Sequence, residues 1–215
     1  PMDKSCGQTS QVLPLYLDMV PEEHRAAAYR QLHRSVARTF DYHVDTGIVG
    51  SRYLFDVLAR HGDAETAYRA ATQTSYPGFG YMIREGATTM WERWEKLQGE
   101  GMNSQNHIML GSIDGWFYRV LAGLAPGEPG WSRVLVRPHP PEDLGYCSAT
   151  VDTIRGRAAV SWRKTDDGLI LTVSLPPGTS GEIAVPCREE SSTILETGVE
   201  EAVVWTNGQP RDPVP

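Results

Sequence analysis

The sequence predicts a chain of two successive parts, helices first and an antiparallel β-sandwich after them. Apolar residues recur every three or four positions through roughly the first 125 residues, which is the helical period. Beyond about residue 130 they alternate with polar residues, which is the period of a strand. Between these regions lies the turn-forming stretch Ala125-Pro126-Gly127-Glu128-Pro129-Gly130, so we place the two domains at residues 1–125 and 131–215.

The composition is that of an ordinary globular protein and excludes some partners. Of 215 residues, 40% are hydrophobic, and the formal net charge is -7. An acidic chain lacks the broad basic surface that nucleic acids require, so we expect no nucleic-acid partner. No stretch approaches the ~20 apolar residues of a membrane span. The three cysteines show no CxxC spacing, so neither a metal nor another cofactor is indicated.

The first helices have recognisable ends. Gln11 to Val20 is apolar on most sides, and Pro21 begins a new helix as a first-turn residue. The pattern from Ser51 to Arg60 stops at His61-Gly62, a helix C-terminal signal. Asp63 then follows as an N-cap for the next helix.

Two further helices are predicted before the turn-forming stretch. One runs from Thr88 to Gln98, after the glycine at Gly86. The other is the most regular, with apolar positions that step by four, three and four: Ile113, Phe117, Val120 and Leu124. The connections are short, so we expect neighbouring helices to form antiparallel hairpins.

The second part consists of short alternating runs separated by turns. Ala158, Val160 and Trp162 show the alternation most clearly. The turns between runs contain glycine, proline, aspartate or asparagine: Asp166-Asp167-Gly168, Pro176-Pro177-Gly178 and Asn207-Gly208. This pattern predicts an antiparallel β-sandwich.

One helical segment combines a carboxylate with aromatic rings. Glu92 lies between Trp91 and Trp94, and Phe79 and Tyr81 precede them. Flat rings suit the face of a sugar, and glycoside hydrolysis requires carboxylates. The same residues also fit a structural interpretation, in which the carboxylate is solvated and the tryptophans belong to the core.

A polar segment follows and leads into the regular helix at Ile113. In Gly101-Met102-Asn103-Ser104-Gln105-Asn106-His107, the imidazole of His107 has the chemistry to bind a sugar hydroxyl or orient a water. The alternative is a packing or capping role for His107, with Asn103 or Ser104 as a helix N-cap.

Together these two segments resemble the bacterial α-L-rhamnosidases of the six-hairpin glycosidase type. The resemblance rests on Gly86-Ala87-Thr88-Thr89-Met90-Trp91-Glu92-Arg93-Trp94 and on Met102-Asn103-Ser104-Gln105-Asn106-His107. Weaker support comes from Gly47-Ile48-Val49-Gly50-Ser51-Arg52-Tyr53-Leu54, and from the strand patterns of the second part. The resemblance covers nearly the whole chain.

The resemblance implies half of an (α/α)6 barrel followed by a β-sandwich, and the inverting hydrolysis of terminal α-L-rhamnose from rhamnosides. It implies that Glu92 is the general base and that His107 contacts the sugar. We expect Trp91, Trp94, Phe79 and Tyr81 to complete the sugar pocket. The general acid of such an enzyme lies on an earlier hairpin. We therefore expect the N-terminal half of the same polypeptide to be the partner of this chain, and the chain alone to be inactive.

The sequence departs from the family pattern at two places besides the missing upstream half. The loop between Glu95 and Met102 is short, and Phe79 stands where the family often has tryptophan, so the substrate preference stays open. Two alternatives remain: a non-catalytic carbohydrate-binding remnant, or another six-hairpin enzyme of the trehalase or glucosidase type. The compartment, bacterial cytoplasm or secreted, is also open.

Overall fold

The fold was analysed in a computed structural model. It describes residues 7–97, 99, 103–166 and 168–186, and the backbone of two short strands at 204–206 and 209–211. The chain divides into two compact units, Pro1–Asp114 and Gly115–Pro215. The first is helical and the second is rich in β-sheet, which confirms the predicted order of a helical part and a sheet part. The finer domain limits at 125 and 131 stay a prediction.

The helical unit contains five α-helices before residue 100 in the described part of the chain. They are α1 Gln8–Tyr16, α2 Glu22–Arg34, α3 Ile48–Arg60, α4 Ala64–Ala71 and α5 Phe79–Arg84. A short π-helical turn, Ser35–Thr39, extends α2. Helix α1 packs against α2 and α3, and α4 packs against α3. Their apolar faces form a core whose buried members include Val12, Leu32, Val36, Leu54 and Leu58.

The helix ends follow the local signals of the sequence. Pro21 is the N-cap residue of α2. Helix α3 ends at Arg60, and Gly62 has a left-handed backbone with φ 80°. The Asp63 side chain accepts a hydrogen bond from the backbone N–H of Thr66 at 3.1 Å, which caps α4 as predicted.

The helix predicted from Thr88 to Gln98 is wrong for the described residues of that range. Residues 88–97 form bends without a helical ladder. Their backbone groups bond instead to residues 104–107, so tertiary pairing overrides helix propensity. No helix starts at Asn103 or Ser104 either. The loop from Glu95 to Met102 lies partly outside the described residues. Helix α5, which the sequence patterns did not indicate, contains the aromatic residues Phe79 and Tyr81 that precede the range Thr88 to Gln98.

The regular pattern after Ile108 is helical as far as Leu121 but not uniformly α-helical, and its last predicted helical position, Leu124, lies in a β-strand instead. A 3₁₀ turn at Leu110–Ser112 leads into α6, Ile113–Trp116, and then into a π-helical turn, Phe117–Leu121. Such local changes in hydrogen bonding are common near helix ends. In the described residues, no helix reaches the length and apolarity that a bilayer-crossing segment needs.

The second unit forms two three-stranded sheets and a separate short hairpin. The strands are β1 Leu124–Pro126, β2 Arg133–Val136, β3 Tyr146–Thr153, β4 Gly156–Thr165, β5 Gly168–Ser174, β6 Ser180–Ile183, β7 Val204–Thr206 and β8 Gln209–Arg211. The sheet orders are β1-β2-β6 and β3-β4-β5, with β7 and β8 paired to each other. The predicted turn Asn207-Gly208 lies outside the described residues, and the strands beside it pair antiparallel.

The two larger sheets share one hydrophobic core, as in a β-sandwich. Its buried residues come from both sheets: Leu124, Val134, Val136, Ala158, Val160, Trp162 and Leu171. The indole N–H of Trp162 donates to the Leu121 carbonyl at 2.7 Å, which satisfies its polar atom inside the core. One pairing departs from the antiparallel prediction, because β6 returns after the second sheet and lies parallel to β2.

Candidate functional site

Two loop segments of the helical unit carry the candidate residues and pair with each other. We name residues 88–97 the glutamate segment and residues 103–107 the histidine segment. The His107 backbone N–H donates to the Met90 carbonyl at 2.8 Å. The Thr89 hydroxyl donates to the Gln105 carbonyl. The structure therefore brings the two sequence motifs into direct contact.

Glu92 is joined to Ser104 by two hydrogen bonds in opposite directions. The Glu92 backbone N–H donates to the Ser104 carbonyl at 2.9 Å. The Ser104 backbone N–H donates to Oε2 of the Glu92 carboxylate, also at 2.9 Å. Both Glu92 and His107 are partly exposed. The arrangement fixes a carboxylate at the surface of the helical unit, where a ligand or a water can reach it.

Trp94 is fixed by contacts to two other elements. Its indole N–H donates to the Thr46 carbonyl at 2.6 Å. The ring packs edge-on against Phe79, with the centroids 5.0 Å apart. The Thr46 hydroxyl in turn lies 2.7 Å from the Ser51 hydroxyl at the start of α3. A buried tryptophan with a satisfied N–H is a rigid support for its neighbours.

The five predicted sugar-binding residues differ in their exposure. Trp91, Trp94 and Phe79 are 4%, 7% and 8% exposed, so they lie in the packed interior of the helical unit. Tyr81 is partly exposed, and its ring meets the ring of Tyr76 edge-on at 5.3 Å. Only Tyr81 and His107 therefore present substantial surface to a ligand within this chain. The sugar contacts of all five stay predictions.

Charged residues of the glutamate segment form ion pairs within it and with α5's neighbour Glu85. Arg93 pairs with Glu95, and Lys96 lies 3.6 Å from the Glu85 carboxylate. Partial burial, and after it the negative charge of Glu95, raises the pKa of the half-exposed Tyr76 phenol above its ordinary value. Glu95 is thus engaged with Arg93, whereas Glu92 is held by a backbone amide. The two carboxylates of this segment have different surroundings.

The loop before α3 reaches the same region. Asp41 and Tyr42 both have left-handed backbones, with φ of 46° and 61°, which is unfavourable for residues other than glycine. Just after them, the imidazole Nε2 of His43 lies 2.8 Å from the Ser75 hydroxyl. Strained backbone of this kind tends to occur at functional sites.

A glycine permits close packing beside that loop. Gly80 donates its N–H to the Gln73 carbonyl at 3.0 Å. A Cβ at Gly80 would lie 2.6 Å from that same oxygen, so a larger residue would push the start of α5 away. Phe79, beside this glycine, is thereby held against Trp94.

Three residues of the site were not predicted as such from the sequence. Thr46 and Ser51 position Trp94, and Ser104 binds Glu92 through its backbone. Thr46 precedes the Gly47–Leu54 stretch that supports the resemblance and Ser51 lies within it, but nothing local in the sequence links either residue to Trp94. In the sequence, Ser104 is a candidate helix N-cap and a member of the resemblance motif, but nothing there indicates that it binds Glu92. In the structure its backbone N–H donates instead to the Glu92 side chain, which belongs to another segment.

Comparison with known families matches both units. The model of the bacterial α-L-rhamnosidase six-hairpin glycosidase domain matches residues 3–121. The model of the bacterial α-L-rhamnosidase C-terminal domain matches residues 123–200. Glu92 and His107 both lie within the first match.

Individual relatives agree with these matches. An α-L-rhamnosidase of Streptomyces avermitilis is 37% identical over 189 residues, covering 85% of this chain and 18% of the relative. One of Formosa agariphila is 36% identical over 196 residues, covering 88% of this chain and 21% of the relative. The chain thus spans about a fifth of the length of the curated relatives it matches.

Solved structures show the same folds. The α-L-rhamnosidase of Dictyoglumus thermophilum is 49% identical, with a TM-score of 0.83 over 86% of this chain and 21% of the other. The structure of the Streptomyces avermitilis enzyme complexed with L-rhamnose gives a TM-score of 0.79 at 37% identity, over 85% of this chain and 18% of the other. By these family and structural matches, the chain belongs to the bacterial α-L-rhamnosidase family of six-hairpin glycosidases.

Proposed function

We propose that this chain forms the general-base side of an inverting α-L-rhamnosidase, with Glu92 as the base. The observation that carries the proposal is the Glu92 carboxylate, partly exposed and held by the Ser104 N–H within the region matched by the glycosidase model. The L-rhamnose named in the structure of a relative fits the substrate class. Terminal α-L-rhamnosides are therefore the proposed substrates.

The reaction divides between two carboxyl groups. Glu92 removes a proton from a water, whose oxygen bonds to the anomeric carbon on the face opposite the leaving group. The glycosidic C–O bond breaks, and a carboxylic acid protonates the leaving oxygen. In inverting enzymes these two groups lie about 6.5–9.5 Å apart, which leaves room for the water.

The acid comes from outside this chain in the proposal. The relatives are about five times longer than the matched part, so we infer that an upstream part of the same polypeptide supplies the acid and the rest of the barrel. The 215 residues alone then hydrolyse no rhamnoside. We call this chain joined to that upstream part the full-length enzyme.

His107 and Tyr81 are the proposed sugar contacts at the surface. Trp91, Trp94 and Phe79, which are buried within this chain, are proposed to form the aromatic backing of the pocket. Imidazole and phenol groups exchange hydrogen bonds with sugar hydroxyls. Phe79 offers a smaller ring than tryptophan, which changes the fit of the sugar more than the chemistry.

Substitution of Glu92 in the full-length enzyme tests this function. Glu92→Gln keeps the shape but removes the base, so kcat on an aryl α-L-rhamnoside should fall about 10²–10⁴-fold. KM should change little, because the base acts in the transition state. A time course of the parent reaction followed by NMR should show β-L-rhamnose as the first product, as inversion requires.

Glu95→Gln is the matched control, because Glu95 lies in the same segment but pairs with Arg93. It should leave kcat within a few-fold of the parent. An equal loss of kcat in both variants, or near-parental kcat in Glu92→Gln, would contradict the assignment of Glu92 as the general base. Hydrolysis of aryl glucosides but not rhamnosides would indicate another six-hairpin enzyme, and no hydrolysis at all by the parent would indicate a carbohydrate-binding remnant.

A further inference from the structure

The two oxygens of the Glu92 carboxylate are in different surroundings. Oε2 accepts the Ser104 N–H at 2.9 Å. None of the described residues forms a hydrogen bond with Oε1. An oxygen that already accepts a directed bond has less capacity for a water proton. Oε1 is therefore the oxygen available to a water.

The Ser104 bond also holds one end of the histidine segment. Three residues later, the His107 N–H is fixed to the Met90 carbonyl at 2.8 Å. Between them, the Asn106 N–H donates to the Ser104 hydroxyl at 3.1 Å, which makes a local turn. The position of the His107 ring thus depends on where Ser104 is held.

The bond to Glu92 is the one charge-assisted contact in this pairing among the described residues. The other contacts between the two segments are neutral, namely those of Thr89, Met90 and the Glu92 N–H, and Gln105 adds one to the Leu97 carbonyl. Hydrogen bonds to charged groups are roughly twice as strong as neutral ones. Loss of the acceptor at Glu92 should therefore loosen the Ser104 end more than loss of any other single contact.

We propose that Glu92 divides its carboxylate between two tasks, and this rests on the proposed function. Oε2 anchors the histidine segment through Ser104 and so positions His107, while Oε1 takes the proton from the attacking water. Glu92 is then a catalytic residue through one oxygen and a positioning residue through the other. A carboxylate that served only as a base would not control the order of the histidine segment.

Two substitutions separate the tasks. Glu92→Gln retains an amide oxygen that can accept the Ser104 N–H, but it has no base. Glu92→Leu has a similar volume and neither an acceptor nor a base. Glu95→Leu is the control, since no hydrogen bond or ion pair joins Glu95 to the histidine segment among the described residues. If the tasks are divided, Glu92→Leu disturbs Ser104 much more than Glu92→Gln does, and Glu95→Leu does not disturb it.

Amide hydrogen exchange in the full-length enzyme measures the anchor directly. We expect the Ser104 amide to exchange at a near-parental rate in Glu95→Leu, and only a few-fold faster in Glu92→Gln, whose neutral amide oxygen keeps the bond but makes it weaker. In Glu92→Leu it should exchange about tenfold faster or more, as expected for loss of a hydrogen bond to a charged group. Amides of α3 should be unchanged and serve as the internal reference. If they also exchange faster, the less crowded Glu92→Met replaces Glu92→Leu.

Binding of L-rhamnose gives the second readout. By calorimetry, Glu92→Gln should bind the sugar like the parent, and Glu92→Leu should bind it several-fold more weakly because His107 is displaced. A parental exchange rate at Ser104 in Glu92→Leu, or equal sugar affinity in the two variants, would overturn the anchor. Near-parental kcat in Glu92→Gln would instead overturn the proposed function, so the two failures are distinguishable.

Discussion

Trp94 is a buried residue of the glutamate segment, and its role depends on contacts that lie far away in the sequence. Its sequence neighbours fit either a sugar platform or a core residue. The structure shows a buried indole whose N–H bonds to the Thr46 carbonyl, 48 positions earlier in the chain. Such a distant partner leaves no local trace in the sequence. The sequence shows a tryptophan two residues after Glu92, but it does not show the hydrogen bond that fixes the Trp94 ring to the Thr46 carbonyl.

Trp94→Phe tests this anchoring. The phenyl ring retains most of the apolar contact with Phe79 but removes the shorter of two hydrogen bonds to the buried Thr46 carbonyl, leaving the one from the Ser51 hydroxyl at 3.4 Å. We expect the helical unit to lose about 0.5–1.5 kcal/mol of stability, the usual net contribution of one hydrogen bond. Opening free energies from hydrogen exchange of the α3 amides measure it. Unchanged exchange would mean that the hydrogen bond from Trp94 to Thr46 contributes nothing to stability. The kcat of Trp94→Phe should fall far less than that of Glu92→Gln.

At the scale of elements, locally encoded ends were predictable and long-range pairing was not. Asp63 caps α4 because an N-cap needs only a short polar side chain before a helix. Tyr29 reinforces that cap by donating its hydroxyl to Asp63 at 3.0 Å. The helix expected at Thr88 to Gln98 failed for the opposite reason. Its helix-favouring residues are used in pairing with the histidine segment.

The β2–β6 pairing supplies a second element whose partner could not be predicted. Glu182 on β6 forms ion pairs with Arg133 on β2 and with Arg137, the residue that follows β2. The hydrogen bond from Arg137, and then the charges of both arginines, hold the pKa of Glu182 below its ordinary value of 4.5. The carboxylate therefore stabilises the folded unit above about pH 4.5, and this contribution disappears as the pH falls through the lowered pKa.

Glu182→Gln should reveal that dependence. Near neutral pH the variant should have a lower Tm than the parent, because glutamine cannot form the ion pairs. The difference in Tm should stay constant down to about pH 4.5 and shrink below it, as the parent carboxylate also becomes neutral. Differential scanning calorimetry over this range measures it. A difference in Tm that grows toward acid would contradict the assigned sign.

For the whole molecule, the order of a helical and a sheet unit followed from hydrophobic period alone. The period changes from helical to alternating near residue 125, and the structure changes from helix to strand at Leu124. The candidate site was predictable only in part. Glu92 and His107 are indicated by their motifs, whereas the Glu92–Ser104 and His107–Met90 hydrogen bonds that bring the two motifs together require the folded chain. The general acid has no candidate here, since the proposal places it upstream.

Azide rescue of Glu92→Ala tests whether Glu92 activates the nucleophilic water. Azide needs no base, and the alanine leaves space for it beside the anomeric carbon. In the full-length enzyme, azide should restore turnover of an aryl α-L-rhamnoside by Glu92→Ala and give β-L-rhamnosyl azide. It should not accelerate Glu95→Ala. No rescue of Glu92→Ala, or an α-configured azide product, would contradict the account.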